Sequence, residues 1–108
     1  MEEKRDMEQL LFSLITAAGE AKSYAVEALR EAKEHHKDRV GELLGLSKKS
    51  FKEAHGIQTD LLTDERNGKP TEISLLLIHA QDQLMTTMLA MELIDELVDL
   101  YERQGDKQ

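Results

Sequence analysis

"SLLLIHAQDQLMTTMLAM", residues 74–91, decides how this chain folds. From Leu75 to Met91 the one reliably charged side chain is Asp82, yet His79, Gln81, Gln83, Thr86 and Thr87 crowd the middle. Lipid would satisfy none of those groups, so the stretch is not read as a membrane span. At about 100° per residue its apolar side chains point nearly all round the helix. Leu77, Leu84, Met88 and Met91 mark one side, Ile78, Met85 and Leu89 lie round the edge, and Leu75, Leu93, Leu97 and Leu100 mark the other side. A helix that is apolar all round is buried all round. Three helices of one protomer can cover only one stripe of each, so the pattern predicts a soluble homo-oligomer with these helices at its centre.

Outward from that stretch, the chain reads as one all-α domain over residues 1–108. Aromatics are 4% and there is one proline, while Ala, Leu, Glu, Lys, Gln and Met dominate, all good helix formers. The first helix is expected over about 3–33. Met7, Leu11, Leu14, Ala18, Ala21, Ala25, Ala28 and Ala32 recur at alternating steps of four and three, a heptad seam whose alanine half lets a neighbour approach closely. "EHHKD" breaks the pattern, with His35 and His36 read as loop. A second helix is expected over about 38–62 with Asp38 as its N-cap. Its seam is Val40, Leu44, Ser47, Phe51, Ala54, Gln58 and Leu61, two of them polar, and Gly41 and Gly45 weaken its start. "TDERNGKPTE" is a loop, through Asn67-Gly68 and Pro70, and the third helix is expected over about 71–102. The architecture is an antiparallel three-helix bundle.

The formal net charge is -8, which repels phosphate backbones and argues against nucleic acid as a partner. Lys48, Lys49 and Lys52 read as a solvated helix face. There is no cysteine, hence no disulfide, thiolate metal site or thiol nucleophile. The start "MEEKRDMEQ" lacks an apolar signal core, so the expected location is the cytoplasm.

His79, Asp82 and Thr86 stand within about 60° of one another on a helix, Gln83 flanks them, and Gln81 points nearly opposite. His55 and Gln58 share a face of the second helix, so "EAHGIQT" and "IHAQDQLMT" are candidates to face each other. A histidine here also reads as a hydrogen-bonded core residue, Asp82 as a carboxylate held by Thr86 or a lysine, and Met85, Met88 and Met91 as core filler. A carboxylate-bridged di-metal bundle needs Glu-x-x-His pairs. The residues three before His35, His36, His55 and His79 are Ala32, Lys33, Lys52 and Leu76, so there are none. One His and one Asp on a face are too few for a zinc hydrolase, and no serine sits in a glycine-flanked nucleophile turn. Histidine as a nucleophile remains, taking a phosphoryl group on a ring nitrogen and passing it on.

Three segments resemble a known family, the IIA component of the lactose/cellobiose branch of the bacterial phosphoenolpyruvate-dependent sugar phosphotransferase system. Its His-x-Gln-Asp-x-Leu-Met motif is matched by His79, Gln81, Asp82, Leu84 and Met85. Its Ala-His-x-x-Gln-Thr motif is matched by Ala54, His55, Gln58 and Thr59, and "AGEAKSYAVEALREAK" is similar to its first helix. The resemblance spans roughly residues 7–103. It implies a cytoplasmic homotrimer, a nine-helix bundle. His79 would receive phosphate from phospho-HPr and pass it to a cysteine of the IIB component, during uptake of a β-linked disaccharide through the membrane IIC component. It further implies supporting roles for His55, Gln58, Gln81 and Gln83, and a divalent cation such as Mg²⁺ shared by three copies of Asp82 at the three-fold axis. The chain departs from the family at Gln83, where a second His is usual, and at Gly41 and Gly45. Ala80 is similar to cellobiose and diacetylchitobiose members, where lactose members more often carry Gly. The alternative is a non-catalytic helical interaction or adaptor protein that keeps the bundle without the chemistry.

Overall fold

The structure, a computed structural model, describes residues 2–106; residues 1, 107 and 108 of the expected domain lie outside the described residues. It consists of three helices, α1 (Glu2–Lys33), α2 (Lys37–Arg66) and α3 (Leu75–Asp106), with extents of 60 × 21 × 19 Å. Two reversals make α1 and α3 run parallel and α2 antiparallel to both. α1 is the central slab: it packs along both other helices, while α2 and α3 meet only sparsely.

The alanine seam explains why α1 is central. Ala18, Ala21, Ala25, Ala28 and Ala32 are all buried, so both neighbours lie close to the α1 backbone. Close approach brings hydroxyls within reach of main-chain carbonyls. Ser47 of α2 donates to the Ala21 carbonyl at 2.6 Å, and Thr87 of α3 donates to the Ala18 carbonyl at 3.3 Å. The polar seam position at Ser47 is thus a buried, satisfied bond between helices, and Thr87 is its counterpart on α3. Two apolar clusters stack along the bundle. One holds Leu11, Leu14, Leu61 and Leu84, the other Ala25, Val40, Ile94 and Val98.

The helix boundaries depart from expectation where local bonding overrides composition. α3 begins at Leu75, not Thr71, because Ser74 caps it: its hydroxyl oxygen accepts from the Leu77 N–H at 3.0 Å. α2 runs on to Arg66 and α3 to Asp106, about one turn past the expected ends. Asp38 is not the N-cap of α2. His36 holds that place without a side-chain capping bond, and Asp38 sits in the first turn, where its charge suits the helix dipole. Gly41 and Gly45 lie within a continuous α2.

The two turns share one construction. After α1 the His36 N–H bonds the Glu31 carbonyl and the His35 N–H the Ala32 carbonyl; after α2 Lys69 and Gly68 repeat this on Asp64 and Glu65. Both are Schellman endings, which need a left-handed residue. Gly68 fills that place at φ 83, as the Asn67-Gly68 signal suggests, and His35 fills it at φ 61. His35 and His36 are therefore more than loop: one takes the strained backbone position, the other contacts Glu31 at 2.6 Å through Nδ1.

Among the described residues no helix is long and apolar enough to cross a membrane. α3 has the two-sided character read from its sequence. Leu84, Ile94 and Val98 are buried against α1, whereas Leu75, Ile78, Met85, Leu89, Leu93, Leu97 and Leu100 are exposed.

Candidate functional site

Those exposed side chains form one stripe. At about 100° per residue, positions 75, 78, 82, 85, 86, 89, 93, 97 and 100 fall within roughly a third of the helix circumference. Asp82 stands in the middle of the stripe and His79 on its edge. Neither side chain has a hydrogen-bond or ion-pair partner among the described residues, and both are exposed. Thr86 does not hold the Asp82 carboxylate, as the sequence suggested. Its hydroxyl donates to the Asp82 main-chain carbonyl at 2.8 Å and approaches that of Gln83 at 3.3 Å.

The later start of α3 matters for His79. The residue lies one turn in from Leu75, and helix side chains lean toward the N-terminus. Its imidazole is therefore on the side of the positive end of the α3 dipole, where a helix favours negative charge. Ala80, fully buried beside it, anchors this part of α3 to the Leu11–Leu14 cluster.

The flanking polar residues separate into two groups. Gln58 Nε2 donates to Gln81 Oε1 at 2.7 Å, so the α2 and α3 motifs do meet, through their glutamines. Both amides are half-buried, and the bond ties the two helices that otherwise scarcely touch. His55 is not drawn into this contact. Its ring is exposed and stacks on Phe51 with centroids 5.9 Å apart, and its carbonyl accepts from Thr59. Gln83 turns toward α1: a Cβ placed on Gly19 would lie 3.6 Å from its Nε2. One protomer therefore brings together Gln58 with Gln81, places Gln83 one turn along α3 from His79 without a bond between them, and leaves His55 and Asp82 apart. Met88 and Met91 are half-buried filler as expected, but Met85 is exposed on the stripe.

Within a protomer no group of three His, Cys, Asp or Glu side chains among the described residues is arranged to hold a metal ion. Asp82 is a single carboxylate, and a cation there requires further copies of it. The arrangement offers an accessible imidazole, a nearby helix N-terminus, and a contiguous exposed apolar face.

Residues 9–102 match the family described as "PTS system, Lactose/Cellobiose specific IIA subunit". The N,N'-diacetylchitobiose-specific EIIA component of Escherichia coli (strain K12) is 39% identical over 101 residues, 94% of this chain and 87% of that protein. The crystal structure of the cellobiose-specific enzyme IIA from Bacillus anthracis superposes with a TM-score of 0.89 at 43% identity, covering 93% of this chain and 92% of the other. The IIA(Chitobiose) chain solved in complex with HPr, from the diacetylchitobiose branch of the E. coli phosphotransferase system, gives 0.78 at 38% identity, covering 91% and 95%.

Proposed function

The chain belongs to the lactose/cellobiose-specific IIA family of the sugar phosphotransferase system, and from that premise we propose that it is a phosphohistidine carrier working through His79. The observation that carries this reading is the exposed, unpartnered His79 imidazole beside the N-terminus of α3. A ring nitrogen of His79 attacks the phosphorus of phosphohistidine on HPr. The new P–N bond forms as the old one breaks, and its electron pair returns to the donor imidazole. In the second transfer a cysteine thiolate of the IIB component attacks the same phosphorus, and the pair of the P–N bond returns to His79. Positioning and charge stabilisation dominate such transfers, and the α3 dipole favours the phosphoryl dianion. Gln83 flanks it on the α1 side; Gln81, which points nearly opposite to His79, acts only indirectly, by fixing α3 to α2 through Gln58, and His55 acts from α2.

The working form is a homotrimer in the cytoplasm, with the exposed stripe of α3 at the three-fold axis. That assembly buries Leu75, Ile78, Leu89, Leu93 and Leu97, which no helix of the same protomer covers. It also brings three Asp82 carboxylates together. Their oxygens would suit a hard divalent cation such as Mg²⁺, which would supply charge neutralisation at the axis. The sugar taken up through IIC is a β-linked disaccharide of the cellobiose or diacetylchitobiose kind, in keeping with Ala80 and with what the relatives are named for.

The test is incubation with phosphoenolpyruvate, enzyme I and HPr, followed by intact mass. The wild-type chain gains one phosphoryl group and His79→Ala gains none. A wild-type chain that stays unmodified favours the adaptor reading.

A further inference from the structure

His79 stands one turn inside α3, and packing does little to fix that turn. Ile73 and Leu75, on either side of Ser74, are 80% and 82% exposed, and Ser74 is exposed with them. Residues 67–74, which lead into the helix, belong to no helix or strand. Ile73 and Ile78 occupy the two positions that staple a helix start, yet both are largely exposed, so burial contributes little there.

Two hydrogen bonds hold the turn, and both end on Ser74. Its carbonyl accepts from the Ile78 N–H at 3.0 Å, as any residue at that place could. Its hydroxyl oxygen accepts from the Leu77 N–H at 3.0 Å, which requires the side chain. The Leu75 and Leu76 N–H groups remain open, since no residue a turn earlier is in helical register to accept from them.

Those two amides face the site. His79 is four residues after Leu75 and three after Leu76, so it shares a face with both, roughly 6 and 4.5 Å further along the axis. Its side chain leans back over them. A phosphoryl group on a His79 ring nitrogen is thereby carried toward two open donors, whose aim depends on the first turn being helical. We infer that Ser74 is a positioning residue for the transfer: by capping α3 it keeps the Leu75 and Leu76 amides aimed at the phosphoryl group on His79. The inference rests on the carrier reading above. Ser74 acts through the backbone of the first turn and takes no part in bond making.

The test uses variants of the full chain, read at equilibrium and in rate. Mixed with phospho-HPr, the wild-type chain and HPr share phosphate in a fixed ratio. Ser74→Ala should shift that ratio toward HPr about threefold and slow single-turnover uptake. Ser74→Asn, a neutral cap of comparable strength, should restore both. Ser74→Asp also caps the helix but sets a carboxylate near the phosphoryl dianion. It should keep the wild-type urea midpoint while shifting the ratio toward HPr by about tenfold. Ser47→Ala controls for stability alone: it breaks a buried bond in the α1–α2 seam, and should lower the urea midpoint at least as much as Ser74→Ala while leaving the ratio unchanged. A wild-type ratio and rate in Ser74→Ala overturn the inference and leave His79 as carrier intact. So does an equal shift in Ser47→Ala, or a Ser74→Asn variant that behaves like Ser74→Ala. If the wild-type chain takes up no phosphate, the carrier reading fails and the role of Ser74 falls with it.

Discussion

Replacing Asp82 with leucine tests the proposed trimer, because it separates what would hold that assembly together from what its axis would be for. The Asp82 carboxylate has no partner among the described residues and is surrounded along α3 by the exposed Ile78, Met85 and Leu89. Three copies brought to an axis repel. Unit charges about 6 Å apart at an effective dielectric of about 20 cost roughly 3 kcal/mol per pair, or roughly 8 kcal/mol for three pairs when all are ionised. Proton uptake or a bound cation relieves that repulsion. Asp82→Leu removes it and adds roughly 1.5–3 kcal/mol of apolar burial per subunit. Both effects have the same sign. In EDTA the variant should remain a trimer by light scattering and melt roughly 5 °C or more above wild type. With Mg²⁺ the wild type should close part of that gap, while the variant does not respond. Phosphate uptake on His79 should survive, because the nucleophile is one turn away. Dissociation of Asp82→Leu to monomers, or a lower melting temperature in EDTA, refutes the axial placement of Asp82.

Ser47→Ala removes the buried 2.6 Å bond to the Ala21 carbonyl and should cost about 1 kcal/mol in urea unfolding. His35→Gly relieves the left-handed backbone at φ 61 and should stabilise by up to roughly 1 kcal/mol. Gly68→Ala, at φ 83, should destabilise by a similar amount, and the pair of denaturation midpoints should move in opposite directions. Gln58→Ala breaks the 2.7 Å bond to Gln81 and should slow single-turnover phosphate transfer without abolishing it; His55→Ala should do likewise, and complete loss of transfer in His55→Ala contradicts the assignment to His79.

The architecture was legible wherever periodicity met burial. The α1 seam from Leu11 to Ala32 is buried as spaced, and the two-sided α3 is visible in the sequence because no protomer of three helices can cover both its sides. The boundaries were less legible, since they depend on single bonds: a serine hydroxyl at residue 74 moves the start of α3 past Thr71, which the glycine and proline signals alone do not reveal. His35 hides its role for a related reason. A histidine carries no mark of positive φ, so only the structure shows that it does what Gly68 does. At the site, the motif spacing brings the two glutamines together but could not say that His55 stays on Phe51.

The central claim is that His79, and no other histidine, carries the phosphoryl group. The chain has four histidines, and His35, His36 and His55 are exposed as His79 is, so exposure alone does not discriminate among them. Peptide mapping of the wild-type chain after brief incubation with phospho-HPr, kept at alkaline pH where phosphohistidine persists, assigns the modification directly. The account predicts a single phosphorylated peptide, the one containing His79, and its loss on addition of IIB. Phosphate on the His35–His36 or His55 peptide, or spread among several, contradicts it.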